Sequence, residues 1–175
     1  MVELRDFTLA DGRLLAAWID GPVELMTWAG PTFDWPLNDR QLAEYAAESA
    51  TPRRHTWMAW DPGSGEAVGH ASVRVDAALA SGRLGRVLVA PQARGRGYGA
   101  AMLERVLASA FGELDLERID LGVFTHNTNA VRLYERLGFV CDRVLPDVEQ
   151  VAGKSWSAMQ MSLQRSAWSA GAAPG

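Results

Sequence analysis

The chain has 175 residues, of which 48% are hydrophobic and 22% are charged, and its formal net charge is −4. This length and composition indicate one folded domain with a sizeable core and exclude a disordered chain. The acidic balance leaves no global electrostatic footprint for nucleic acid or for an anionic membrane, so any anion-binding site must be local.

The first third of the chain predicts one strand and then helices. Residues 2–7 alternate as a strand does, and Thr8 to Asp11 is a capping signal before apolar residues that recur at helical spacing. A short helix is predicted over 23–28, which Gly30-Pro31 ends. A further helix is predicted over 39–49, with Asn38 as its N-cap and Gln41 reaching back to it.

The rest of the chain predicts an antiparallel sheet with one crossover. Strands are predicted over 56–60, 67–75, 83–89, 119–124, 139–144 and 157–163, and helices over 98–111 and 130–137, the latter ended by Gly138. This order is an α+β fold in a single domain, 1–165, followed by a disordered tail, 166–175.

Nothing in the sequence indicates a membrane or secretory protein. No apolar run approaches the roughly 20 residues of a membrane helix, and the N-terminus lacks the apolar stretch of a signal peptide. Cys141 is the only cysteine, so no internal disulfide forms. We therefore expect a soluble, cytoplasmic protein.

A glycine-rich loop, Arg94-Gly95-Arg96-Gly97-Tyr98-Gly99, lies between a predicted strand and a predicted helix. Several backbone N–H groups that converge at a helix N-terminus bind phosphate, and glycine removes the side chains that would obstruct the approach. Arg94 and Arg96 add local positive charge. The loop therefore predicts a pyrophosphate site.

Two other phosphate-binding motifs compare less well with this loop. Gly95 to Ala100 also fits the dinucleotide fingerprint G-x-G-x-x-[GA], and Asp115 lies at the distance expected of its acidic partner. That reading is disfavoured because the loop follows an antiparallel hairpin instead of opening a parallel sheet. The chain has no GxxxxGK[ST], which disfavours an ATP P-loop.

A second motif, Asn127 to Phe139, joins the first. It reads Asn, Ala, Leu-Tyr and Gly-Phe at fixed offsets, and a predicted helix and strand separate it from the loop. Together the two motifs resemble those of the GNAT (Gcn5-related) N-acetyltransferase superfamily. The resemblance implies a mixed, largely antiparallel central sheet flanked by helices, with an acetyl-CoA cleft between two splayed parallel strands.

The resemblance also assigns the donor site. It implies that the backbone of Val87, Leu88 and Val89 binds the pantetheine arm as an added strand, and that an N–H near Leu88 or Val89 polarises the thioester carbonyl. Asn127 is implied to contact pantetheine, or to cap the helix that follows. The residues implied to hold the pyrophosphate are Arg94, Gly95, Arg96, Gly97, Tyr98, Gly99 and Ala100.

Tyr134 matches the family tyrosine that protonates the departing CoA thiolate. The implied reaction is direct attack of an amine on the acetyl thioester within a ternary complex, with no metal. A covalent route through Cys141 is disfavoured, since that residue follows Phe139-Val140 in a predicted strand and reads as a buried core thiol.

The general base stays open at this point. Members of the family sometimes carry Glu five residues before the family Asn, but this chain has Gly122 there. The remaining candidates, each more often a surface residue, are Asp120, His126, His70 and Glu66.

The acceptor is expected to contact the N-terminal helices and their loop. Trp28, Phe33 and Trp35 form an aromatic segment that either lines an acceptor pocket or packs as a cap, and Glu24 and Asp34 could attract a cationic amine. Many members pair through sheet edges or C-terminal strands, so a homodimer is one expected assembly. No nucleic-acid or membrane partner is expected.

The leading hypothesis is an acetyl-CoA-dependent N-acetyltransferase that acts on a primary amine of unknown identity. The first alternative is a non-catalytic acyl-CoA-binding or sensing module on the same fold. The second is an NAD-dependent oxidoreductase that uses the dinucleotide fingerprint.

Overall fold

The computed structural model describes residues 2–168 and contains every predicted strand and helix. The strands are β1 (Glu3–Asp6), β2 (Arg54–Asp61), β3 (Glu66–Asp76), β4 (Ser81–Val89), β5 (Arg118–Phe124), β6 (Val140–Val151) and β7 (Lys154–Gln164). The helices are α1 (Gly12–Ala17), α2 (Pro22–Ala29), α3 (Asp39–Ser49), α4 (Tyr98–Gly112) and α5 (Thr128–Arg136).

The strands form one seven-stranded open sheet in the order β1-β2-β3-β4-β5-β7-β6. Only β4 and β5 run parallel, joined by the α4 crossover, and every other neighbouring pair is antiparallel. The α+β class and the largely antiparallel sheet predicted from the sequence are confirmed.

Helices cover both faces of the sheet. A Cβ placed on Gly69 would point at Met102 of α4, whereas the next residue, His70, bonds to Tyr45 of α3. Because successive strand residues point to opposite faces, α4 and α3 pack on opposite sides. The longest described helix is α4, with 15 residues, and no helix within residues 2–168 is long and apolar enough to cross a bilayer.

Both helix caps predicted for the N-terminal part are present, but one of their expected hydrogen bonds is not. The side chain of Asp11 accepts from the Thr8 N–H at 2.8 Å, and Asn38 Oδ1 accepts from the Gln41 N–H at 3.0 Å, as expected of N-terminal caps. The predicted return bond from Gln41 to Asn38 is wrong. The buried Gln41 amide instead bonds to the backbone of Asp34 and Pro36, because a buried amide needs partners on both its atoms.

The C-terminal hairpin, β6–β7, is longer than predicted on both strands. Its outer half is mostly exposed and lacks the apolar alternation by which a strand is recognised. The first residues of the predicted tail also differ from expectation: Ser166 and Ala167 lie in a 3-10 turn, and the Trp168 ring packs 5.3 Å from Phe111. The remainder of that tail, 169–175, lies outside the described residues.

Candidate active site

The two parallel strands separate partway along their length. Their last ladder pair is Leu84–Leu121, although β4 continues to Val89 and β5 continues to Phe124. We call the opening between these outer halves the wedge. Its position matches the splay that the family resemblance implies.

A β-bulge in β4 marks the point of separation. Between Ser72 and His70 β3 advances by two residues, while the paired segment of β4, from Gly85 to Leu88, advances by three. The extra residue lies at Arg86, which has a φ of 53°. Because a bulge bends its strand and increases its twist, it turns β4 away from β5.

The backbone of β4 beyond the bulge presents polar groups to the wedge. The Ala90 N–H donates to the Val68 carbonyl at 3.0 Å, so the backbone groups of Ala90 and Leu88 face β3. Those of Val87 and Val89 therefore point the other way. Backbone groups without a ladder partner need another one, and an extended ligand arm can supply it as an added strand.

Two of the bulge's neighbours hold it by its carbonyl group. The Arg86 carbonyl accepts hydrogen bonds from Trp28 Nε1 at 2.8 Å and from His70 Nδ1 at 2.7 Å. Since His70 Nδ1 donates here, its Nε2 accepts from the Tyr45 hydroxyl at 3.2 Å. We call this set of three side chains the bulge clamp. It fixes the backbone from which the wedge opens.

His70 was predicted as a surface candidate for the general base, and this is wrong. The ring is fully buried, and both of its nitrogens are used by the clamp. Burial lowers the pKa of His70 to about 3, an effect that the Arg86 carbonyl opposes only in part. A ring so placed is a structural hydrogen-bonding group.

The Arg86 side chain ties the bulge to the aromatic segment. Its guanidinium lies 4.9 Å from the centroid of Phe33 and 4.3 Å from that of Tyr45, and Glu48 lies 3.8 Å away. Trp28 and Phe33 stack at 5.6 Å. These rings pack against the core side of the bulge, as the cap interpretation expects, whereas Trp35 stays exposed.

The glycine-rich loop joins the end of β4 to the start of α4. Gly95 and Gly97 have φ values of 72° and 80°, and a Cβ on either would meet nothing within 4 Å. Glycine is therefore needed here for its backbone conformation and for open access to the amides. Arg94 and Arg96 are exposed beside the loop, and Arg94 Nε donates to the Val89 carbonyl at 3.3 Å.

Gly99 serves a different purpose from the other two loop glycines. Its φ is ordinary, but a Cβ there would lie 3.3 Å from both Val89 Cγ2 and Leu133 Cδ2. The absence of a side chain lets the ends of β4, α4 and α5 approach closely. Ala100, the next residue, is half-buried in the first turn of α4.

The Tyr98 side chain anchors the loop from outside. Its hydroxyl donates to Asp61 Oδ2 at 2.9 Å, and the Arg96 guanidinium lies 5.2 Å from its ring centroid. Hydrogen bonds to its carboxylate lower the pKa of Asp61, the larger effect coming from the Gly63 N–H and the smaller from the Tyr98 hydroxyl. The loop is thus attached to the turn between β2 and β3.

The second motif folds into α5 and the residues that flank it. Asn127 Oδ1 accepts from the Ala130 N–H at 3.4 Å, so Asn127 caps this helix. Tyr134 is buried, with its ring 5.8 Å from that of Phe139. Burial raises the pKa of the Tyr134 phenol well above its ordinary value of 10, so it keeps its proton across the physiological range.

The remaining base candidates differ in their surroundings. Asp120 forms an ion pair with Arg118 at 2.7 Å, and Glu66 is exposed at the first position of β3. His126 follows the end of β5, at the open end of the wedge, and its exposed ring packs on Phe124 and Trp156. Asp120 and His126 thus flank the wedge-forming half of β5, Asp120 at its closed end and His126 at its open end.

Gly122, where relatives sometimes carry Glu, has an arginine over it. A Cβ at Gly122 would lie 2.8 Å from Arg83 Nη2 and 3.2 Å from Gln160 Nε2, and Arg83 Nη1 donates to Gln160 Oε1 at 3.3 Å. The position that could have carried a carboxylate is therefore covered by a guanidinium.

Two further sequence interpretations are corrected. Cys141 is exposed, not a buried core thiol, because β6 is an edge strand whose faces are largely uncovered. Asp115 lies in the α4–β5 connection, where its carboxylate pairs with Arg165 at 2.8 Å. It does not end a parallel strand, so the dinucleotide fingerprint lacks its acidic partner.

Sequence reasoning missed Arg83, Arg86 and Tyr45. The first two lie in Gly82-Arg83-Leu84-Gly85-Arg86, where glycines interrupt a strand. Glycine within a strand often marks a bulge or a close approach, so this pattern was the available signal. Within the described chain, no group of three or more His, Cys, Asp or Glu side chains is arranged to hold a metal ion.

Comparison with known proteins gives a family and a fold. The profile of the acetyltransferase (GNAT) family matches residues 23–139. The chain is 38% identical over 55 residues to a spermidine N(1)-acetyltransferase of Vibrio cholerae, covering 31% of this chain and 32% of that protein. It is 39% identical over 120 residues to a mycothiol acetyltransferase of Salinispora tropica, covering 59% of this chain and 39% of that protein. The chain thus spans well under half the length of these curated relatives.

Solved structures resemble the chain over nearly its whole length. Spermidine N-acetyltransferase from Vibrio cholerae in complex with CoA and spermine has a TM-score of 0.83 at 21% identity, covering 95% of this chain and 96% of that one. A spermidine N-acetyltransferase chimera from Vibrio cholerae and hSSAT has a TM-score of 0.81 at 21% identity, covering 94% and 96%. At this level of identity the likeness concerns the fold.

Proposed function

Because this chain belongs to the GNAT acetyltransferase family, we propose that it is an acetyl-CoA-dependent N-acetyltransferase that acts on a primary amine. The observation that carries the proposal is the wedge, which presents unpaired β4 backbone groups beside a glycine-rich loop at a helix N-terminus. A pantetheine arm and a pyrophosphate require these two features side by side.

The residues present fit acetyl-CoA. Val87 and Val89 offer backbone donors and acceptors for an added amide chain, and the loop amides from Gly95 to Ala100 meet the positive end of the α4 dipole. Arg94 and Arg96 supply charge for the phosphates in an otherwise acidic chain. Asn127 contributes either by direct contact with the pantetheine arm or by capping α5 and so fixing the start of that helix.

Each protein group has a task that follows from its position. Acetyl-CoA supplies the acetyl group as a thioester with a thiolate leaving group. The Val89 N–H, which points into the wedge, donates to a carbonyl oxygen there and stabilises the charge that develops on it. Alternation along β4 favours Val89 over Leu88 for this role. Tyr134 is protonated before the reaction, because its pKa is raised, and it donates that proton to the departing sulfur. His126, directly or through water, receives the proton that the attacking amine loses.

The test is an assay of CoA release with a panel of primary amines, for the wild type and for Tyr134→Phe. We expect turnover of at least one amine by the wild type and a drop in kcat of about 10²-fold in the variant, because one general-acid contact is removed. Phe preserves the ring that packs on Phe139, so the thermal stabilisation by CoA should match that of the wild type.

The same assay separates the proposal from its alternative. Thermal stabilisation by acetyl-CoA, with no turnover of any amine and no effect of Tyr134→Phe, would identify a non-catalytic acyl-CoA-binding module. An unchanged kcat in Tyr134→Phe, with turnover present, would remove Tyr134 from the mechanism.

A further inference from the structure

An arginine-lined cavity of about 830 Å³ lies on the sheet face that carries Arg83. Its lining includes Arg53, Arg74, Arg83, Arg118 and Arg143, together with Asp76, Asp120 and Asp142. We call it the arginine cavity. Five guanidinium groups against three carboxylates make it locally basic in a chain whose net charge is −4.

Most of these guanidinium groups lack a carboxylate partner. Arg118 takes two of the three carboxylates, Asp120 at 2.7 Å and Asp142 at 2.9 Å. Asp76 accepts backbone N–H groups of the turn that follows β3. None of the other four arginines forms an ion pair with any residue in 2–168. Planar guanidinium groups without a carboxylate partner are suited to bind a carboxylate or a phosphate.

Arg83 connects this cavity to the wedge. Its guanidinium extends over Gly122, the first β5 residue beyond the last parallel pair, Leu84–Leu121. A side chain at Gly122 would displace the guanidinium from this position, since a Cβ there would lie 2.8 Å from Arg83 Nη2. The missing side chain therefore opens the path by which Arg83 reaches the closed end of the wedge.

A second cavity, of about 310 Å³, is lined by carboxylates, but most of them are already in ion pairs. Its carboxylates are Asp34, Glu44 and Glu48. Arg40 pairs with Glu44 at 2.8 Å, and Glu48 pairs with Arg54 at 2.9 Å and with Arg86 at 3.8 Å. Only Asp34 makes no ion pair within the described residues. Of the two cavities, the arginine cavity therefore has more charge without an ion-pair partner, and that charge is positive.

We propose that the arginine cavity binds the anionic group of the acceptor, so that this enzyme acetylates amines that carry a carboxylate or a phosphate in preference to polyamines. The inference rests on the proposed function and adds the substrate class to it. Gly85, which is level with Gly122, lies about 13 Å of strand from Val89. The contact between the guanidinium and the anion takes up several Å of this, so an acceptor that reaches both sites has its anionic group roughly 7 to 10 Å from its amine.

A series of acceptors matched in length tests the preference. The series is 6-aminohexanoate, 6-aminohexyl phosphate, the neutral 6-aminohexanamide and the dication 1,6-diaminohexane. We expect at least one anionic acceptor to exceed the amide tenfold or more in kcat/KM, and the diamine to be the poorest. The carboxylate and phosphate arms identify which anion the cavity prefers. Equal rates for all four, or preference for the diamine, overturn the inference.

Substitution of Arg83 tests whether the preference for anionic acceptors depends on this cavity. Arg83→Gln should raise KM for the preferred anionic acceptor about tenfold and should change KM for 6-aminohexanamide much less, and Arg83→Lys should restore part of the affinity. Arg105→Gln is the matched control, since Arg105 is exposed on α4 and forms no ion pair within residues 2–168. A fall in rate that is equal for anionic and neutral acceptors would mean a structural role only.

A binding measurement keeps this inference separate from the proposed function. Calorimetry with the unreactive probe 6-acetamidohexanoate, in the presence of CoA, should show binding to the wild type and tenfold weaker binding to Arg83→Gln. If no amine is turned over and the probe still binds through Arg83, the anion site stands and the acetyltransferase proposal fails. If amines are turned over but the probe does not bind, the function stands and the anion site fails.

Discussion

At the scale of single residues, the bulge clamp is the feature on which the wedge most directly depends. One backbone carbonyl, that of Arg86, accepts from two ring N–H groups, and a third ring, that of Tyr45, holds His70 in the required tautomer. A carbonyl that accepts two hydrogen bonds from buried rings does not reorient cheaply, because a change would leave the buried Trp28 and His70 N–H groups unsatisfied. The bulge is therefore held in place before any ligand arrives.

The buried His70 gives stability a particular dependence on pH. In the unfolded chain it takes up a proton near pH 6.5, whereas in the folded protein its pKa is about 3. Between these values the unfolded state binds more protons, so the free energy of unfolding falls as the pH drops from 6.5 toward 3. This stabilisation is fully present above pH 6.5. At pH 5 the loss from this residue is about 2 kcal/mol.

Urea unfolding at pH 7.5 and pH 5.0 measures this effect. In the wild type, the free energy of unfolding should be lower at pH 5.0 than at pH 7.5. We expect this difference to be about 2 kcal/mol smaller in His70→Gln, because the glutamine amide does not titrate. His55→Gln serves as the control, since His55 lies on β2 outside the clamp. A His70→Gln protein with the same pH dependence as the wild type would show that His70 is not held neutral.

At the scale of elements, the strand–loop–helix unit of β4 and α4 could be read from the sequence, while the bulge that precedes it could not. The glycine spacing indicated both the loop and the helix start, because φ requirements are local. The bulge depends on contacts from Trp28 and His70, which are remote from Arg86 in sequence. Likewise, the place of Arg83 over Gly122 depends on the pairing of β4 with β5. For the same reason, no local pattern identified His70 as buried.

The glycine-rich loop gives the prediction that belongs to this scale. Gly97→Ala should weaken CoA binding about tenfold or more, because a Cβ at φ 80° strains the loop and stands beside its amides. Gly153→Ala is the matched control: Gly153 has a φ of 76° in the β6–β7 turn, with open space around it. Both variants should lose about 1 kcal/mol of stability.

Calorimetric titration with CoA distinguishes the two glycines. Only Gly97→Ala should lose affinity, while denaturant unfolding reports the shared loss of stability. Equal CoA affinity in Gly97→Ala and the wild type would mean that the loop amides do not contact the donor.

At the scale of the whole molecule, the edge strand β6 is the surface that most needs an explanation. Three valines on it are exposed, Val140, Val144 and Val148, and an uncovered strand edge readily pairs with another chain. The sequence predicted a strand here but placed Cys141 in the core, since a strand pattern does not reveal which strand ends the sheet. The cytoplasmic location expected from the sequence is a separate point, and it stays a prediction.

We expect a homodimer that pairs through this edge. Light scattering after size exclusion should give about twice the chain mass of 19.0 kDa for the wild type, and a mass near 19.0 kDa for Val144→Lys combined with Val148→Lys. Charge on an exposed edge opposes pairing without disturbing the core. A wild type that elutes as a monomer at high concentration would rule out this assembly.

The hydrogen bond from Tyr98 to Asp61 has a consequence for thermodynamic coupling. It joins the glycine-rich loop, the proposed pyrophosphate site, to the β2–β3 hairpin. We therefore expect order that the loop gains on ligand binding to extend to the turn, and order lost in the turn to affect the loop. By reciprocity, the hairpin influences donor affinity by the same factor as the donor influences the hairpin. We therefore expect changes in the β2–β3 turn to alter the affinity for the acetyl donor through the Tyr98–Asp61 contact.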